Sequence, residues 1–141
     1  EALKPSFRDY TEEIVKNAKS MAEEFLSLDY KIVSGGTDTH VVLIDLTNKN
    51  ITGKEAEKYL GKAGIHLNKN MVPFDTKSPF VTSGIRVGTP ALTTRGMGPD
   101  IMRQIVHWID NVITKPGEDH LIKSIRQEIR DLCAKYPIYK H

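Results

Sequence analysis

Thiol, metal and membrane chemistry are what this chain has least of. Cys133 is the only cysteine, so no intrachain disulfide and no cysteine-rich metal site can form. Its apolar neighbours at helical spacing suggest a buried, inert thiol. The five histidines (His40, His66, His107, His120 and His141) show no ligand spacing among themselves or with acids. With Cys133 they form no recognisable catalytic motif, so no metal site and no thiol catalysis is expected. No apolar run is long enough to cross a bilayer, and no signal peptide opens the chain. The formal net charge of +2 is too small for a nucleic-acid surface, and the lysines are spread among acids. These absences fit a reducing cytosol. The chain starts at Glu1 rather than Met, which suggests a piece of a longer protein, though processing gives the same opening.

Two glycine-containing stretches invite a phosphate-loop reading, and both fail it. A P-loop needs glycine five residues before its Gly-Lys pair and Ser or Thr just after the lysine. Around Gly53-Lys54 those positions are Asn48 and Glu55. Gly35-Gly36 reads better as turn glycines between strands. The sequon Asn50-Ile51-Thr52, without a secretory signal, reads as chance plus a helix cap.

What remains is an ordinary globular composition, 39% hydrophobic and 27% charged over 141 residues, enough for one domain with one core. Apolar residues from Phe7 to Leu26 recur at helical spacing and predict an amphipathic helix from Ser6 to about Leu28, with Ser6 as N-cap. Tyr30–Val33 and His40–Leu46 predict two paired strands across the Ser34–Asp38 turn. Thr52-Gly53-Lys54-Glu55 is a capping-box pattern, opening a helix that ends between Gly61 and Gly64. Ile65–Leu67 reads as a short strand, Asn68–Ser83 as a long loop, and Gly84–Gly88 as another strand closed by Thr89-Pro90. Pro99 opens a helix running to Pro116-Gly117, and a last one carries Leu121 to Tyr136. The expected fold is an α/β (α+β) sandwich, a small mainly antiparallel sheet with flanking helices, filling residues 1–141 as one domain.

Arg86 stands apart, a guanidinium in a strand of small and apolar residues. It must reach water or be paired, and its planar fork suits a carboxylate. An arginine on the wet side of an edge strand fits the pattern equally well. Asn68, Lys69, Asn70 and Ser78-Pro79-Phe80 could hydrogen-bond a heterocycle, or simply line a surface loop.

Taken in order, several segments are familiar: Ser34–His40, Leu43–Leu46, Thr52–Glu57, Asn68–Asn70, Pro73–Asp75, Ser78–Pro90, Thr94–Gly96 and Tyr136–Tyr139. Together they resemble the C-terminal portion of serine hydroxymethyltransferase, in the compact spacing of the bacterial form. The resemblance implies the small domain of a fold-type I pyridoxal-phosphate enzyme, a cytoplasmic homodimer of one-carbon metabolism and glycine biosynthesis. Its reaction would convert serine and tetrahydrofolate reversibly to glycine and 5,10-methylenetetrahydrofolate. By the same resemblance Arg86 grips the α-carboxylate of serine or glycine. Asn70, with Lys77, Ser78 and Pro79, contacts the folate co-substrate. The Schiff-base lysine follows a Thr-His pair in that family, whereas Val41 follows Thr39-His40 here. The cofactor therefore belongs to a large domain outside this chain, no catalytic residue is expected within it, and alone it should be inert. Two other readings stay open, a stand-alone binding or regulatory module and another fold-type I aldolase.

Overall fold

The computed structural model describes residues 5–33, 41–88 and 97–136, with side chains of residues 5–11 and 41 left aside. The turn expected at Ser34–Asp38, the closing Thr89-Pro90 and the stop at Pro137 lie outside the described residues.

Helix α1 spans Pro5–Ser27. Pro5 takes the start, where its missing N–H costs nothing, so Ser6 lies inside the first turn and is not the expected cap. Ala18, Met21, Ala22 and Phe25 bury their side chains, and Asp29 at φ 66° turns the chain out of the helix. Strand β1, Lys31–Ile32, follows, then β2, Val41–Asp45. Helix α2, Gly53–Lys62, begins with the expected capping box. The Glu55 amide donates to Thr52 Oγ1 at 3.1 Å, and the Thr52 amide donates to Glu55 Oε1 at 3.2 Å.

Strand β3 departs from the expectation. It covers Asn68–Asn70, the start of the expected loop, while Ile65–Leu67 forms no strand. The reason is position, because among the described residues β3 pairs only with β4 and stands at the edge of the sheet. Its exposed edge favours polar side chains over the β-branched run that marks an inner strand. Strand β4 is Gly84–Gly88, as expected. Helices α3, Pro99–Thr114, and α4, Asp119–Lys135, complete the described elements.

The sheet is antiparallel throughout, in the order β1-β2-β4-β3. Ile44 and Ile85 pair across β2 and β4 and point, with Val42 and Val87, into the core. Ala56 and Leu60 of α2, and Met102, Val106, Ile109 and Ile113 of α3, fill that same core. The helices therefore cover one face of the sheet, an α+β arrangement of the expected kind.

Polar bonds pin α1 and its turn to α3. The Asn17 amide donates to the Met97 carbonyl at 3.0 Å. Tyr30 donates its hydroxyl to Asp110 at 2.7 Å. Burial first, and then the bond and charge of Asp110, push that phenol well above its ordinary range. His107 Nε2 and Glu24 Oε2 meet at 2.6 Å on the wet side of the same seam.

Candidate functional site

Strand alternation puts Arg86 on the face the helices leave open. Its neighbours Ile85 and Val87 are buried while Arg86 is exposed, because successive side chains point to opposite sides. Arg86 sits opposite Leu43 on β2 and Asn68 on β3. β4 lies between those two strands, so Arg86 belongs to an inner strand, not to an edge. It reaches water, and among the described residues no carboxylate pairs with it. Its guanidinium is thus free of the desolvation penalty that burial would impose.

Asn70 shares this face. Lys69, between the two asparagines, pairs with the core-facing Ile85 and turns toward α2. There its ammonium lies 3.7 Å from Glu57, whose other oxygen accepts the Lys69 amide at 2.9 Å. Asn68 and Asn70 consequently point the opposite way, with Arg86. Asn70 is the diagonal neighbour of Arg86, and such positions lie about 7–8 Å apart.

The segment from Met71 to Ser83 joins β3 to β4 at the Asn70–Gly84 end of the sheet and carries Lys77, Ser78 and Pro79. It is ordered by one carboxylate. Asp75 Oδ2 accepts from the Ser83 amide at 2.8 Å and the Val72 amide at 3.3 Å. Oδ1 accepts from the Ser83 hydroxyl at 2.7 Å and the Lys77 amide at 2.9 Å. Burial pushes the Asp75 pKa up, but these bonds favour the anion more strongly and bring it down to about 2. Sequence reasoning gave Asp75 no role. An aspartate in a Pro-rich loop looks like any turn former, and its reach to Ser83 shows only in three dimensions.

The end of the segment is clamped from below. The first amides of α2, Gly53 and Lys54, donate to the carbonyls of Thr82 at 3.1 Å and Val81 at 2.9 Å. These donors have no partner within their own helix. Thr82 adopts φ 59°, an outlier for a β-branched residue. It is buried, with its hydroxyl donating to the Gly84 carbonyl at 3.3 Å. On the outside, Phe74 is fully exposed and Phe80 is 80% exposed, so neither aromatic serves the core. Ser78 and Pro79 are also exposed, and Lys77 is half-buried. The five residues singled out from the sequence thus fall on the open face (Arg86, Asn70) and on the loop at its end (Lys77, Ser78, Pro79).

A cavity of about 260 Å³ lies elsewhere, toward the Gly88 end of β4, lined by His66, Trp108 and Cys133 among others. Cys133 is half-buried there rather than enclosed. Neither Arg86 nor Asn70 reaches that cavity. Among the described residues no cluster of histidines, cysteines or acids could hold a metal, and no helix is long and apolar enough to cross a membrane.

The family model for serine hydroxymethyltransferase matches residues 1–109, from the start of the chain into α3. The chain belongs to the serine hydroxymethyltransferase family. Serine hydroxymethyltransferases are pyridoxal-phosphate-dependent transferases acting on small molecules, and the described residues can be weighed against that cofactor. It requires a lysine amine for its imine, an acid beside its pyridine nitrogen and a phosphate cradle. Every lysine among the described residues is exposed or half-buried. Lys49 is committed to the Leu28 carbonyl at 2.8 Å, and Lys69 to Glu57. The described residues thus offer no buried amine for that imine. Arg86 presents an exposed guanidinium, whose planar fork has the geometry to pair with a carboxylate.

Proposed function

We propose that this chain is the C-terminal domain of a serine hydroxymethyltransferase. It binds substrate beside a cofactor carried by another domain, and alone it is inert. The observation behind this reading is Arg86, a solvated guanidinium on an inner strand, with Asn70 on the same face and an ordered loop at its end. A planar fork can take the α-carboxylate of serine or glycine through two parallel charge-assisted bonds, each worth about 1.5–3 kcal/mol. Fixing the carboxylate at two points fixes the orientation of the bonds at the α-carbon, and orientation of that kind can lower a barrier by several kcal/mol. Asn70 and the Lys77–Pro79 turn supply amide and backbone groups for the heterocycle of tetrahydrofolate. Pyridoxal phosphate, where bound, supplies the electron sink for releasing the hydroxymethyl carbon. The product pair is then glycine and 5,10-methylenetetrahydrofolate. A cytoplasmic homodimer is the form in which we expect the whole protein to act.

The test uses the full-length product of the gene, purified with pyridoxal phosphate. Its visible absorbance is recorded with glycine, then with tetrahydrofolate, for wild type and Arg86→Ala. A glycine-induced band that grows with folate in the wild type and is lost in the variant supports the reading. A wild-type protein that binds no cofactor refutes it and favours a stand-alone binding module. A band indifferent to folate points instead to another fold-type I aldolase.

A further inference from the structure

Asp75 lies outside the strands, yet it orders the segment that flanks the open face. The two sides of that segment are anchored differently. Residues 81–83 are secured without Asp75. The Val81 and Thr82 carbonyls accept the first amides of α2, and the Ser83 carbonyl accepts the Leu46 amide at 2.8 Å. Asn70 is secured by pairing opposite Gly84. The stretch between has the Asp75–Val72 turn at 3.0 Å and the turns from Val81 and Thr82 to the Ser78 carbonyl. Among the described residues only the Asp75 carboxylate ties the Val72 and Lys77 amides across to Ser83, eight residues from Asp75. We propose that Asp75 is a positioning residue, setting the loop shape in which Lys77, Ser78 and Pro79 meet the folate co-substrate. It has no part in holding the amino acid on Arg86. This rests on the reading of Asn70 and Lys77–Pro79 as folate contacts.

The consequence is selective. Removing the charge loosens residues 72–80 but leaves β4, and with it Arg86, in place. In the full-length holoenzyme Asp75→Asn should raise the folate KM about tenfold, the equivalent of one charge-assisted bond. The serine KM, and the dissociation constant of glycine read from cofactor absorbance without folate, should stay within about twofold, inside the scatter of an unperturbed site. A merely structural role would move the folate and amino-acid constants together. Ser83→Ala, which deletes only the hydroxyl bond to Asp75, should give the same selectivity at about threefold. It keeps the question decidable if Asp75→Asn fails to fold. Asn70→Ala run in parallel tests the folate reading itself. If its folate KM is unchanged, that reading fails and the role of Asp75 falls with it. If Asn70→Ala raises the folate KM while the Asp75 and Ser83 variants leave it alone, or shift both constants equally, the positioning role alone is overturned.

Discussion

Gly53→Ala pits helix propensity against packing, and the structure decides the sign. Alanine is the better helix former by up to about 1 kcal/mol in a helix interior, less at a first helical position. A Cβ on Gly53, however, would stand 2.1 Å from Thr82 Oγ1, 2.4 Å from the Gly84 carbonyl oxygen and 3.2 Å from Lys69 Cβ. The hydroxyl could rotate, at the expense of its bond to that same carbonyl. The carbonyl is backbone in a strand flanked on both sides and cannot withdraw. The start of α2 must therefore back away, stretching its amide bonds to Thr82 and Val81. Overpacking of this kind costs about 1–3 kcal/mol, so with two amide bonds weakened we expect a net loss of about 2–3 kcal/mol. Gly61 is the internal control, because a Cβ there meets nothing within 4 Å. Gly61→Ala should be neutral or stabilising by up to about 1 kcal/mol. Urea denaturation of the two variants beside the parent chain measures both midpoints. If Gly53→Ala is as stable as the parent, or both variants shift the same way, the account of the clamp is wrong.

Arg86→Ala, lacking any partner among the described residues, should change stability by less than about 0.5 kcal/mol, whereas Arg86→Lys in the full-length enzyme should sharply weaken amino-acid binding by losing the fork; a destabilised alanine variant would contradict the exposed placement. Asp75 has a folded pKa of about 2, below the ordinary carboxylate value near 3.9, so it favours the folded state above about pH 4 and loses that contribution as pH falls toward 2. Stability measured from pH 6 to 2 should fall less steeply in Asp75→Asn than in the parent, and parallel curves would remove the basis of this expectation. Phe25→Ala should cost about 3–5 kcal/mol, since the ring is fully buried and meets Tyr30 edge-on at 5.2 Å; thermal unfolding will show whether it does. Thr52→Ala should cost about 1 kcal/mol through loss of the cap, detectable by the same urea titration.

Features governed by neighbours in the chain were legible in the sequence. The capping box reads from Thr52 and Glu55 because its partners are three residues apart, and β4 reads from small and β-branched residues bounded by glycines. β3 was obscured because it is short, polar and at an edge. The apolar triplet Ile65–Leu67 drew the strand assignment to itself, although Ile65 and Leu67 pack against the core without pairing. Arg86 could be singled out as chemically odd, but its side of the sheet depended on register with Leu43 and Asn68. The Asp75 network and the Gly53–Thr82 approach were hidden for the same reason, being meetings between segments that sequence spacing leaves apart.

The seam between α1 and α3 also bears on how the chain is made. Asn17 waits for Met97, and Tyr30 for Asp110, in each case eighty residues later. At a synthesis rate of about 5–20 residues per second, that interval is about 4–16 s. From Ser27 until Pro99 is reached, the apolar stripe of α1 has been translated while the helix that packs on it has not. Closing the seam between α1 and α3 thus has to wait for a segment made some eighty residues later. A ribosome stalled before α3 would carry a first helix that lacks the partner with which it packs most extensively.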